Sequence, residues 1–109
     1  MAYDEHLAER IRGALGGRDG VTERKMFGGI AFMVGGNMAV GVNRDDLIVR
    51  VGPDAHDDAV AQAHVRVFDF GGRPSRGMVY VAPEGVAGDA DLERWVKAGA
   101  DMAASLPPK

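Results

Sequence analysis

The residues best suited to chemistry in this sequence lie in a glycine-bracketed basic loop, Gly71-Gly72-Arg73-Pro74-Ser75-Arg76-Gly77. Arg73 and Arg76 offer two guanidinium forks beside free backbone N–H groups, a combination that can hold a phosphate or a carboxylate. Arg24 and Lys25, and further along Arg66, are cations that could join them. If the five meet on one surface, they form an anion or nucleic-acid contact. The plainer alternative is a solubilising loop whose arginines pair with local acids such as Asp69, because exposed charge is the ordinary state of arginine.

The other candidates are weaker. Gly28-Gly29 and Gly35-Gly36 invite comparison with phosphate loops, but the chain has no G-x-G-x-x-G and no G-x-x-x-x-G-K. A strand bend and a hairpin turn account for both pairs. His56 and His64 stand eight positions apart, about 12 Å along a helix, too far to share one metal ion. Both are expected to be solvated. Asp45-Asp46 and Asp57-Asp58 suit a turn and the first turn of a helix. The nucleophile inventory is short, with Ser75, Ser105 and Thr22 and no cysteine. An enzyme would have to rely on acid–base work by Asp, Glu or His. The expectation is therefore a non-enzymatic protein with no catalytic residue, no metal and no cofactor.

These residues must be positioned by 109 residues, one domain's worth of chain. Net charge is −3, whereas a domain that wraps DNA usually carries net positive charge. Any nucleic-acid binding would need a local basic patch. Without cysteine the fold stands on packing alone. No run approaches the roughly 18 apolar residues of a membrane span, and the polar, acidic N-terminus is no secretory signal. A cytoplasmic location is expected, with no membrane partner.

Asp4 can cap a helix to about Gly16, with Leu7, Ile11, Ala14 and Leu15 on one stripe. An apolar run over 25–34 reads as a strand. Gly35-Gly36-Asn37 then signals a hairpin into a strand over 38–42, and a third strand covers 47–51. Pro53 or Asp54 opens a thin helix to about Ala63. Strands follow at 65–70 and 78–82. Asp89 can cap a last helix carrying Leu92, Trp95, Val96, Met102, Ala103 and Leu106 on one face. Gly99 lies in that stripe and would let another backbone approach closely. The order α-β-β-β-α-β-β-α describes an α+β domain, a two-layer sandwich with a five-stranded antiparallel sheet.

Both faces of the predicted strands are apolar. Ile30, Phe32 and Val34, with Leu47, Val49 and Val51, suit a helix-covered face, and Met26, Met38 and Met78 fall with them by phase. The opposite face carries Phe27, Gly29, Met33, Ile48 and Arg50. A wet antiparallel face normally shows polar residues, so this second face should meet something. A second copy of the chain is the simplest choice, with Phe27, Gly28, Gly29, Met33 and Ile48 at the interface. The alternatives are cover from a helix or the C-terminal tail, or a bulge at Gly28-Gly29 that switches the parity of the strand.

Lys25-Met26-Phe27-Gly28-Gly29-Ile30-Ala31-Phe32-Met33 with Gly36-Asn37-Met38 resembles the N-terminal domain of the TfoX/Sxy family. So do Asp69-Phe70-Gly71-Gly72-Arg73-Pro74-Ser75-Arg76-Gly77-Met78-Val79-Tyr80-Val81 and the closing Asp91-Leu92, Trp95-Val96 and Leu106-Pro107. The resemblance implies a secretion-chaperone-like α/β sandwich and a regulatory or interaction role for residues 1–109, standing as a single N-terminal-type domain. Members named for competence carry a further C-terminal domain and assist the cyclic AMP receptor protein. For this chain the resemblance implies a bacterial module with an unknown protein partner. The alternative is a transcription or competence regulator that acts beside a DNA-bound partner. It supplies no catalytic residues.

Overall fold

Asp4 starts the first helix from the position before it, its Oδ1 accepting the Leu7 N–H at 3.1 Å. The computed structural model describes residues 3–26, 28–69 and 76–108. Helix α1 (Glu5–Ala14) leads into strands β1 (Val21–Met26), β2 (Gly29–Val34), β3 (Asn37–Asn43) and β4 (Asp46–Arg50). Helix α2 (His56–Val60), strands β5 (Val65–Val67) and β6 (Met78–Val81), a 3₁₀ turn (Pro83–Val86) and helix α3 (Asp89–Ser105) complete the order. The strands form one antiparallel sheet in the order β1-β2-β3-β4-β6-β5.

The fold class is the expected α+β sandwich, with six strands where five were read. The run over 25–34 is not one strand. It breaks at Gly28, whose φ of 74° favours glycine, and Val21–Met26 forms a separate edge strand ahead of it. That strand escapes a hydrophobicity reading because Thr22, Glu23, Arg24 and Lys25 are all exposed. Such charge protects a sheet edge from pairing with another chain. Two helix boundaries also differ from expectation. α2 is shorter, and the cap position of α3 is Gly88 rather than Asp89.

Helices α1 and α3 cover one face. Leu7, Ile11, Phe32, Val40, Val42, Leu47, Val49, Trp95 and Val96 are among the residues of this main core. Gly99 does what its place in the stripe suggests: a Cβ built there would lie 2.5 Å from the Ala39 carbonyl oxygen. The helix backbone therefore rests almost directly on β3. Arg10 ties α1 to the start of α3 through Val86 O at 2.8 Å and Asp89 at 3.2 Å. Arg12 ties α1 to the β1 edge, its Nε and a terminal nitrogen donating to Glu23 at 2.6 and 2.8 Å. That pairing holds the Glu23 carboxyl below the usual carboxylate range.

Met26, Met38 and Met78 are not in this core. All three pack on the opposite face. For Met38 the reason is a bulge: Phe32 pairs with Val40 but Met33 pairs with Met38, leaving Ala39 as an extra residue. One extra residue reverses the side-chain alternation. Met26 is displaced by the turn at Gly28. Met78 shares a face with Arg50 and Tyr80 with Ile48, so Val79 and Val81 turn to the main core instead.

Candidate functional site

The second sheet face holds its own apolar cluster of Ala31, Met33, Met38, Ile48, Met78 and Tyr80, with Met26 and Phe68 packed against it. Ile48 is 0% exposed and Met33 8% exposed within a single chain. Gly29 is buried and Gly28 exposed, while Phe27 lies outside the described residues. The face expected to await a second copy is thus already covered at Met33 and Ile48. Among the described residues, Val67 is the one large apolar side chain left exposed.

The structure disperses the proposed basic patch. β1 and β5 are opposite edges of the sheet, five strand spacings or about 24 Å apart. Arg24 and Lys25 sit on the first and Arg66 on the second. Arg24 and Lys25 also point to opposite faces, as neighbours in a strand must. Arg66 is bound to Asp46 at 2.9 Å and stacks over the Tyr80 ring at 4.9 Å. Arg76 gives both terminal nitrogens to Asp57 at 3.2 Å, which holds the Asp57 carboxyl below its ordinary range. Arg73 lies outside the described residues.

Of the described members of the five, Arg76 lines a cleft of about 280 Å³ where β4 ends and β6 begins, beside the C-terminal part of α3. Arg50 is its second cation, and Phe68, Met78, Met102 and Leu106 supply apolar walls. Arg50 is partly buried, and its Nε donates to the Met38 carbonyl at 2.6 Å. Sequence reasoning placed Arg50 only as a member of the second face. Its signal was available: a lone charge inside the apolar run Leu47–Val51.

His56 corrects another expectation. It is 7% exposed, not solvated, and its Nδ1 accepts the Gly77 N–H at 2.9 Å. Gly77 has a φ of 94°, and its carbonyl accepts from the N–H groups of Val51 and Gly52. The first two residues of α2, His56 and Asp57, therefore hold Gly77 and Arg76 in place at one side of the cleft. A larger hollow of about 430 Å³ lies between the end of α1 and α3, where Arg18 and Lys97 both bind Asp101. Among the described residues no group of three or more His, Asp or Glu side chains could hold a metal ion. None of the described helices is long and apolar enough to cross a membrane.

A family model described as TfoX N-terminal domain matches residues 14–103. The chain belongs to the TfoX N-terminal domain family. The match runs from the end of α1 through most of α3, so in this TfoX N-terminal domain both faces of the sheet and every cleft residue but Leu106 fall within the family's extent. No curated protein and no solved structure matches the chain.

Tyr80 allows a test of how the second face of this TfoX N-terminal domain is packed. Burial, then the charges of Asp69 and Asp46, push its phenol up, against the opposing pull of Arg66. A raised native-state value means that the folded chain holds the proton more tightly than the unfolded one. The stabilisation is complete below the ordinary tyrosine value of about 10. It is lost as pH rises through the native value. Urea unfolding followed upward from about pH 8 should show stability falling on the alkaline side, and Tyr80→Phe should flatten that decline.

Proposed function

We propose that this TfoX N-terminal domain is a non-enzymatic regulatory module that works by binding a partner protein. The observation that carries this reading over a nucleic-acid contact is the dispersal of the cations. Arg24 and Lys25 stand about 24 Å from Arg66 across the sheet. Arg66 and Arg76 are already neutralised by Asp46 and Asp57. With net charge −3, little is left to displace the counterions of a duplex. Exposed apolar surface is sparse among the described residues, which suits a small contact with a polar rim. Met33 and Ile48, already buried within one chain, leave little apolar area for a homodimer to cover there.

Two measurements test the reading. Labelled duplex DNA titrated with the protein should show no salt-sensitive anisotropy change between about 50 mM and about 200 mM salt. Tight binding that collapses over that range and disappears with Arg24→Ala and Lys25→Ala would replace the reading with nucleic-acid contact. Photo-crosslinking in the source cells, from a benzophenone side chain at Pro53 or Asp54, should give one discrete protein adduct. The same group at Glu9, exposed on α1 and outside the cleft lining, should not. Equal products from both positions would overturn the proposal.

A further inference from the structure

We infer that the cleft where β4 ends and β6 begins binds an acidic segment of a partner protein, with one carboxylate held by Arg50 and an adjoining apolar side chain against Phe68, Met78 and Met102. This rests on the protein-binding reading above and specifies the partner's chemistry.

The inference starts from a charge without a counter-charge. Arg10, Arg12, Arg18, Arg66, Arg76 and Arg94 each have a carboxylate within salt-bridge reach. Arg50 is partly buried and has none among the described residues. The residues outside the described set include no Asp or Glu. A cation withdrawn from water without a partner is unfavourable, and one that lines a cleft can recover the cost from an incoming anion.

The geometry suits a carboxylate. Arg50 Nε is occupied by the Met38 carbonyl. That bond fixes the guanidinium plane and leaves the edge formed by the two terminal nitrogens, which matches the two oxygens of a carboxylate. The nearby Arg76 is matched by Asp57 and also feels Asp54. Among the described residues the cleft therefore presents one uncompensated positive charge beside acidic neighbours, which favours a monoanion over a dianionic phosphate. At about 280 Å³ it lies just below the roughly 300–1,000 Å³ of small-molecule pockets and suits one or two side chains. Its apolar lining gives the residue beside the acid somewhere to go. A peptide segment with an acid next to a leucine or an aromatic fits both requirements.

The test uses the full chain and NMR of its Arg side-chain Nε–H and backbone amide signals. The probes are the blocked peptide acetyl-Leu-Glu-Leu-amide, its Gln counterpart, hexanoate and inorganic phosphate. The expected result is saturable shifts at Arg50 Nε–H and at the Gly77 and Met78 amides with the Glu peptide. Binding should be about ten-fold weaker or worse for the Gln peptide and for the Arg50→Gln protein, since a charge-assisted pair is lost. Arg50→Lys, which keeps the charge, should recover part of the affinity and serves if the glutamine variant does not fold. Equal binding of the Gln peptide, shifts confined to other surfaces, or phosphate acting at lower concentration than the Glu peptide would overturn the inference. Those outcomes leave the crosslinking result standing. Hexanoate binding as tightly as the peptide overturns the protein partner instead and makes the cleft a small-carboxylate site.

Discussion

Ile48→Ala is expected to destabilise the isolated chain by about 2–5 kcal/mol, the range for truncating a fully buried aliphatic side chain. Ile48 is 0% exposed and sits among Ala31, Met33, Met38 and Tyr80 on the second sheet face. That face is covered within one chain, so the loss should appear as a lower urea midpoint that does not depend on protein concentration. Were Ile48 instead the centre of a contact between copies, wild-type stability would rise with concentration, as it must when association is linked to folding. The truncation would then abolish that dependence while costing the monomer little. The concentration series therefore separates a second core from an interface, which the apolar pattern of the strands does not.

Gly99→Ala is expected to destabilise by about 1–3 kcal/mol, the cost of overpacking, although glycine-to-alanine inside a helix ordinarily stabilises by up to about 1 kcal/mol. The reversal of sign comes from contact. A Cβ at Gly99 would meet the Ala39 carbonyl oxygen at 2.5 Å and Val40 Cγ1 at 2.7 Å. The oxygen belongs to the bulged strand and cannot yield, so α3 must lift off the sheet. Gly13 is the control. It lies in α1 with nothing within 4 Å of its would-be Cβ, so Gly13→Ala should gain about 0.5–1 kcal/mol from propensity. Chemical unfolding of both variants checks the pair. Two glycines in helices should move stability in opposite directions, and equal gains would mean that α3 does not rest on β3 as described.

Local patterns in the chain determined a good deal by themselves. Asp4 as the α1 cap, Gly99 as a point of close approach, and Ile30, Phe32, Leu47 and Val49 as one core face all follow from spacing and side-chain chemistry, and the α+β order follows from them. Family membership was legible in other stretches, Lys25–Met33 and Asp69–Val81 above all. The tertiary structure decided what spacing cannot carry. Each bulge or turn reverses the alternation of a strand: Ala39 moved Met38 to the other face, and Gly28 did the same for Met26 while splitting one strand into two. β1 was hidden because edge strands are charged for reasons of assembly rather than burial. His56 read as a solvated helix residue because nothing local reveals that Gly77, 21 positions away, brings it an N–H to accept. Whether the cations meet could not be read from spacing; strand order sets Arg24 and Lys25 on β1 at the opposite edge from Arg66 on β5. Arg50, which no motif singled out, became the cleft's unmatched charge. A side chain's partner is a property of three-dimensional neighbours, and only the folded sheet supplies those.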